Sequence, residues 1–391
     1  MQRIFLKKGR ERPVLGGHPW IFSGAIERAE TAADAGPVAD VFDYQGRWLA
    51  RGLFNPKSQI RVRVLTREKE EIDAAFFSRR IAEAAALRER LVSPATDSYR
   101  ALNGEGDFLP GLVVDRYGGF LVTQFYTAGI DALKNIVIEA LASALAPKGI
   151  YDRSEGGVRD EEGLAPSVGV IYGEEPPELV PIEENGLGFL VDIRKGQKTG
   201  FFLDQRDNRA LVASLARGLT VLNCFGYTGA FAAYALRAGA GRVISVESSR
   251  PALDLARRNF ELNGLAVDER DFVRGDAFAY LKSCNEAIDL VVLDPPSLAH
   301  RRGDVDAAAG SYKFLNLHAI KLVKPGGLVL TFSCSQHVAP DLFQKIVFGA
   351  AVDSGRRVDL LKRLGHAPDH PVSLHHPEGE YLKGLVLRVL E

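Results

Sequence analysis

At 391 residues the chain can hold two or three domains of about 150 residues each. Its 46% hydrophobic and 25% charged residues, its lack of an apolar run near the ~18 residues of a membrane span, and three cysteines with no Cys-x-x-Cys pair exclude membrane, secreted, fibrous and disordered classes. The net charge of −1 conceals an imbalance, because residues 1–67 hold 12 Lys and Arg against 6 Asp and Glu. A basic module on a mildly acidic body suits a nucleic-acid contact surface, although an ordinary solvated face fits equally. The start, Met1 to Lys8, has no signal-peptide apolar core, so a cytoplasmic location is expected.

Residues 1–67 read as short strands between turns at Gly16-Gly17-His18-Pro19, Tyr44-Gln45-Gly46 and Asn55-Pro56-Lys57. The alternation Ile60-Arg61-Val62-Arg63-Val64-Leu65 places both arginines on one strand face. A charged run, Arg67 to Glu71, marks a first boundary. Spacing then predicts a helix over 73–92, a hairpin of 112–114 with 120–122, and a helix over 131–145. Glu174-Glu175-Pro176-Pro177 marks a second boundary. A further hairpin is expected from 187–192 and 199–203. The domains are therefore expected at 1–70, 71–178 and 179–391.

From about residue 204 strands and helices alternate. Strands are expected at 219–223, 242–246, 288–293 and 327–332, with helices at 230–238, 251–263 and 311–323. Ser249 is the expected N-cap of the middle helix, Pro251 lies in its first turn, and Leu253, Ala256 and Phe260 form its apolar stripe. Such βα alternation predicts an α/β domain with a parallel sheet covered on both faces.

The first of these strands runs into Cys224-Phe225-Gly226-Tyr227-Thr228-Gly229, a dinucleotide-type loop in which Cys224 replaces the first glycine. The next strand ends in Glu247, positioned to accept from both hydroxyls of a ribose. The missing glycine disfavours close approach of a pyrophosphate, which favours S-adenosylmethionine (SAM) over NAD. Asp276 follows the strand at 272–274 and is either an acceptor for an adenine amino group or a helix N-cap.

Asp294-Pro295-Pro296 follows the apolar run 289–293, at the strand end where open α/β sheets bind ligands. Cys334, between Ser333 and Ser335, lies at another strand end on the same rim. A thiolate there suits a nucleophile that adds to carbon 6 of a pyrimidine and makes carbon 5 able to take a methyl group. Asp294 would hold the base edge at N3 and N4. Cys224 and Cys284 read as packing residues.

With these residues the chain resembles the bacterial large-subunit ribosomal RNA cytosine-5 methyltransferases that carry an N-terminal PUA domain. The likeness runs from Gly16-Gly17-His18-Pro19-Trp20-Ile21-Phe22, through 107–117 and 199–209, to the cofactor loop, the acid-Pro-Pro turn, Thr331-Phe332-Ser333-Cys334-Ser335 and Tyr381-Leu382-Lys383-Gly384. It implies a PUA domain, a central α+β domain and a class I, Rossmann-like SAM methyltransferase domain. It implies cofactor binding at Asn223, Phe225, Gly226, Glu247 and Asp276, with Thr228, Gly229 and Asp294 alongside and Gln205 and Arg206 closing the methionine end. It also implies a monomer or homodimer acting on ribosomal RNA. The second cysteine that many RNA cytosine-5 methyltransferases carry after the acid-Pro-Pro turn is replaced by Ser297 and Leu298, as in the PUA-containing family. That leaves open the base that removes the carbon 5 proton, with Asp294 or a water it positions as the expectation.

The target cytosine must be unpaired or flipped to reach such a pocket. Lys7, Lys8, Arg10, Arg61 and Arg63 are the expected phosphate contacts. His366, His370, His375 and His376 are the candidate metal ligands. Pro368 and Pro371 break the helix that would align the first two, and no Cys or acid completes a set, so no metal is expected. The competing functions are nitrogen methylation of an RNA base, a non-catalytic RNA-binding ribosome assembly factor and, more distantly, a nicotinamide oxidoreductase.

Overall fold

The computed structural model describes residues 2–31, 36–266 and 268–391. The chain groups into two compact units, one of Met1–Asn185, Val191–Leu203 and Pro368–Gly379, the other of Gly186–Leu190, Asp204–Ala367 and Glu380–Glu391.

The first unit holds two sheets. Strands β1 (Gln2–Leu6), β2 (Trp20–Phe22), β3 (Ile26–Glu30), β4 (Val38–Phe42), β5 (Trp48–Phe54) and β6 (Ile60–Thr66) form a sheet in the order β2-β6-β5-β4-β1-β3, flanked by the short helix α1 (Arg12–Leu15). Ile4, Leu6, Val41, Val62 and Val64 alternate inward to make its core. Strands β7 (Tyr99–Asn103), β8 (Leu112–Tyr117), β9 (Phe120–Phe125), β10 (Gly149–Ser154) and β11 (Ser167–Gly173) make the second sheet. The expected hairpin is β8–β9, turning at Gly118 with φ +54°.

Helix α2 (Ala74–Leu91) packs Phe77 and Ile81 on this second sheet, and the Asp73 carboxylate caps it by accepting from the Phe76 N–H. The helix expected over 131–145 is two helices, α3 (Ala128–Ala132) and α4 (Lys134–Leu145), separated at Leu133. Helix α5 (Gly157–Glu162) follows β10. Leu53 and Leu65, from the first sheet, belong to the second core, so the two segments expected as separate domains share packing.

The expected 187–192/199–203 hairpin does not form. Strand β12 (Val180–Glu184) pairs with β13 (Leu187–Val191) across Asn185-Gly186, whose φ values of +50° and +76° suit a tight hairpin turn. Residues 199–202 contain no strand, and the chain passes through a short 3-10 turn into helix α6 (Arg206–Leu215).

The second unit is built on seven strands: β14 (Thr220–Cys224), β15 (Arg242–Glu247), β16 (Phe272–Arg274), β17 (Ile288–Leu293), β18 (Val323–Ser333), β19 (Val358–Leu364) and β20 (Lys383–Val389). Their order is β16-β15-β14-β17-β18-β20-β19. The first five positions are parallel, as expected. Strand β20 runs antiparallel to β18 and β19 antiparallel to β20, so the sheet is mixed rather than wholly parallel. Helices α7 (Ala230–Arg237), α8 (Arg250–Leu262), α9 (Ala277–Ser283), α10 (Val305–Leu322) and α11 (Pro340–Ser354) belong to the same unit.

Helix α8 starts as read from the sequence: the Ser249 hydroxyl accepts from the Ala252 N–H, and Leu253, Ala256 and Phe260 are buried. Strand order reverses direction between β14 and β17. That switch point leaves a crevice beyond their carboxyl ends, the usual ligand position in such sheets.

Candidate active site

The loop after β14 is bent hard. Phe225 and Tyr227 have φ of +60° and +46°, left-handed values that cost a non-glycine residue about 1–3 kcal/mol each. Gly229 has φ +81°, and a Cβ there would lie 2.8 Å from the Phe260 ring. Glu247, at the end of β15, holds the loop in place. Its Oε2 accepts from the Tyr227 N–H at 2.9 Å and its Oε1 from the Ser249 N–H at 2.8 Å. Asn259 on α8 braces the same loop by donating to the Thr228 carbonyl at 3.0 Å, a role that sequence reading missed.

Asn223 is buried at the end of β14, and neither its Oδ1 nor its Nδ2 has a hydrogen-bond partner. Ser245, its register partner on β15, has an equally unpartnered buried hydroxyl. Buried polar atoms are nearly always paired, so orphans beside a strained loop fit a polar ligand. Gly226 keeps the space open, since a Cβ there would stand 3.1 Å from Asn223 Nδ2. Phe225 packs edge-on against Phe278 at 6.1 Å. Asp276 is the N-cap of α9, accepting from the Ala279 N–H at 2.8 Å. These residues fit SAM: a carboxylate for the ribose, a buried amide and a loop open to close approach.

The acid-Pro-Pro turn follows β17. Asp294 Oδ1 accepts from Gln205 Nε2 at 3.0 Å, and Gln205 Oε1 accepts from Asn208 Nδ2 at 2.6 Å. Gln205 is thus tied to Asp294 from the start of α6. Arg206, the first residue of α6, is buried, with Nε 3.4 Å from Asp207.

Cys334 follows β18, with Sγ 3.9 Å from the Pro295 carbonyl oxygen. A hydroxyl cluster fixes the two segments together. Ser335 Oγ accepts from the Leu298 and Ala299 N–H groups at 3.0 and 3.1 Å and lies 2.9 Å from the Tyr312 hydroxyl. Ser333 Oγ donates to the same Tyr312 oxygen at 3.0 Å. Burial pushes the Tyr312 phenol above its ordinary pKa, so it stays neutral. Tyr312 had no distinguishing signal in the sequence beyond its place in a helix. Cys224 lies in the core, where burial pushes its thiol up, while Cys284 is half-buried.

In the first unit Lys7, Lys8 and Arg10 are exposed and Arg61 is half-buried. Arg63 is not available to a phosphate. It is buried and ion-paired with Glu162 of α5 at 2.9 Å. His366 Nε2 accepts from the Tyr381 and Leu382 N–H groups, fixing the start of β20. An acid does lie beside one of the other histidines. The ligand atoms of His376, His18 and Glu378 lie within 4.8 Å of one another. However, His18 Nδ1 accepts the Trp20 N–H at 3.1 Å, which leaves the proton on Nε2, facing Glu378. That nitrogen is then a donor rather than a metal ligand.

The PUA-like domain family matches residues 4–67, and the S-adenosylmethionine-dependent methyltransferase family matches residues 116–387. Ribosomal RNA large subunit methyltransferase I of Salmonella typhi is 47% identical over 393 aligned residues, covering 99% of this chain and 98% of the relative. The protein of that name from Salmonella typhimurium matches to the same extent. Two solved structures share the fold over the full length of both chains. One is a candidate SAM-dependent methyltransferase from Streptococcus mutans, with TM-score 0.84 and 22% identity. The other is a candidate methyltransferase complexed with S-adenosylhomocysteine (SAH), with TM-score 0.86 and 23% identity. With a strained loop held by Glu247 at the switch point and a relative this similar end to end, the chain belongs to the ribosomal RNA large subunit methyltransferase I family of SAM-dependent enzymes.

Proposed function

We propose that the protein methylates carbon 5 of a cytosine in large-subunit ribosomal RNA through a covalent adduct at Cys334. The observation that carries this reading is the position of Cys334 Sγ against the acid-Pro-Pro turn, 3.9 Å from the Pro295 carbonyl. It is supported by the hydroxyl cluster that locks the two segments in register.

In this scheme Asn223, Phe225, Gly226, Thr228, Gly229, Glu247 and Asp276 hold SAM, with Gln205 and Arg206 at its methionine end. When bound, SAM supplies an electrophilic methyl group. The Cys334 thiolate adds to carbon 6 of the cytosine, and the ring electrons move to carbon 5, which would bond the methyl carbon as that carbon's bond to the SAM sulfur breaks and SAH leaves. Asp294 holds the base edge at N3 and N4 and, directly or through a water, accepts the carbon 5 proton. The electrons of that C–H bond restore the ring double bond and expel the thiolate. Residues 1–70 serve as the RNA-binding module, 71–178 as a central domain and 179–391 as the catalytic domain. Lys7, Lys8, Arg10 and Arg61 provide phosphate contacts, and Arg63 is removed from that set by its ion pair. A flipped or unpaired base meets the steric need of the pocket.

The test is bisulfite sequencing of ribosomal RNA from a deletion strain complemented with wild type or Cys334→Ala. Loss of one methylcytosine, restored only by wild type, is expected. No lost site would reject cytosine-5 methylation and favour nitrogen methylation or an assembly role. Restoration by Cys334→Ala would end the covalent mechanism.

A further inference from the structure

Cys334 must lose its proton to act as a nucleophile, and its surroundings include a group that opposes this. The Pro295 carbonyl oxygen, at 3.9 Å, accepts from the thiol and would repel a thiolate. A compensating positive charge is therefore needed nearby.

Lys383 provides one. It opens β20, directly opposite Ser333 in the antiparallel pairing with β18. Its side chain is buried, and Nζ donates to the Ser335 carbonyl at 2.6 Å. The lysine thus reaches from the partner of residue 333 to the carbonyl of residue 335, alongside the stretch of backbone that carries Cys334. Cys334 and Glu380 both favour its charged form. Among the described residues Nζ bonds the Ser335 carbonyl and no carboxylate. A buried lysine without a carboxylate bond is costly, so its retention calls for a function.

We propose that Lys383 is the positioning residue that holds Cys334 in its thiolate form, a role nothing in the resemblance assigns to it. An ammonium has three donors, and the Ser335 carbonyl uses one. Tyr312 from α10 and Glu380 from the segment before β20 act on the pair, and Asp294 precedes Pro295, whose carbonyl meets Sγ. Tyr312 is kept neutral by burial. Burial pushes the Lys383 ammonium down to about 8, while Cys334 and Glu380 pull it back up. The lysine is thus still largely charged at neutral pH and responds to the charge on the thiol.

The inference rests on Cys334 being the nucleophile, but its test does not use turnover. The rate of iodoacetamide alkylation at Cys334 is followed against pH by peptide mass spectrometry. Cys284 in the same digest is the internal reference. Wild type is expected to show a Cys334 pKa below the ordinary ~8.5 of a free thiol. Lys383→Met is expected to raise it by about one unit, slowing alkylation about tenfold at pH 7, and Lys383→Arg is expected to restore most of the rate. An unchanged Cys334 profile in a Lys383→Met protein with native circular dichroism would overturn the proposal. If that variant does not fold, the wild-type profile decides alone: a Cys334 pKa at or above the ordinary ~8.5 overturns the proposal, and one below it supports the proposal. Methylation surviving in Cys334→Ala would instead refute the nucleophile reading, whatever the alkylation shows.

Discussion

Glu247→Gln isolates what the carboxylate at the end of β15 contributes. In the native protein both oxygens are engaged by backbone donors, Tyr227 N–H at 2.9 Å and Ser249 N–H at 2.8 Å, with the Ser248 hydroxyl at 3.2 Å. Glutamine keeps the size but turns one oxygen into an NH2 donor, which then faces one of those N–H groups. A hydrogen bond to a charged group contributes ~1.5–3 kcal/mol, and the loss here includes a buried donor left unpaired. The loop that Glu247 anchors holds Phe225 and Tyr227 in left-handed conformations, each costing ~1–3 kcal/mol. Without the anchor the loop relaxes, and cofactor binding must supply the ordering energy. On the proposed reading of the site, the ribose also loses an anionic acceptor.

The dissociation constant for SAH, by titration calorimetry, is therefore expected to rise roughly 10- to 100-fold, since ~1.4 kcal/mol is tenfold. The melting temperature of the unliganded protein should fall by a few degrees. Adding Tyr227→Gly to the variant should recover stability, because glycine adopts that φ without strain, but should not recover affinity. A dissociation constant within twofold of wild type, with an unchanged melting temperature, would refute both the anchoring and the ribose arguments.

Breaking the Arg63–Glu162 pair with Glu162→Gln should cost about 3 kcal/mol at pH 7 in denaturant unfolding, as for other buried ion pairs. Burial raises the Glu162 pKa, but the Ser58 and Asn55 hydrogen bonds and the Arg63 charge outweigh it and hold the carboxyl below its ordinary 4.5. An acid lowered by folding adds stability above its unfolded value and loses it as pH falls through the folded value. The deficit of the variant should thus be complete at pH 7 and shrink below about pH 4.5. A constant deficit down to pH 2 would count against this account. Tyr312→Phe removes the hydroxyl shared by Ser333 and Ser335; we expect ~1–2 kcal/mol of lost stability and a lower kcat with little change in KM for RNA, and an unaltered kcat would separate the cluster from catalysis. Replacing Lys7, Lys8 and Arg10 with alanine should weaken RNA binding and flatten its dependence on log salt by ~0.7 per lost phosphate contact. An unchanged slope in filter binding would move the RNA contact elsewhere.

Much of the catalytic unit was legible because its signals are local. The βα alternation follows from apolar periodicity, the start of α8 from Ser249 and Pro251, and the cofactor loop from glycines followed at the right distance by Glu247. Asn185-Gly186 is an equally local turn signal, and it sets the hairpin at 180–191 rather than at 187–203. The sequence around Asp276 suits both an adenine acceptor and a helix cap, and the fold forms the capping bond to the Ala279 N–H.

Composition, period and turn chemistry thus determined by themselves the α/β class, the basic N-terminal module, and the Asp294 and Cys334 strand ends. These depend on backbone preferences and on which face of a segment is apolar, both set within a few residues. Only the tertiary structure decided what each side chain meets. It turned Arg63 from the surface toward Glu162, ran β20 antiparallel between β18 and β19 and set β20 in register with β18. The antiparallel register carries Lys383 to the Ser335 carbonyl, across 48 residues of chain. No short-range pattern encodes such a meeting, because strand order and register follow from the burial of whole apolar faces.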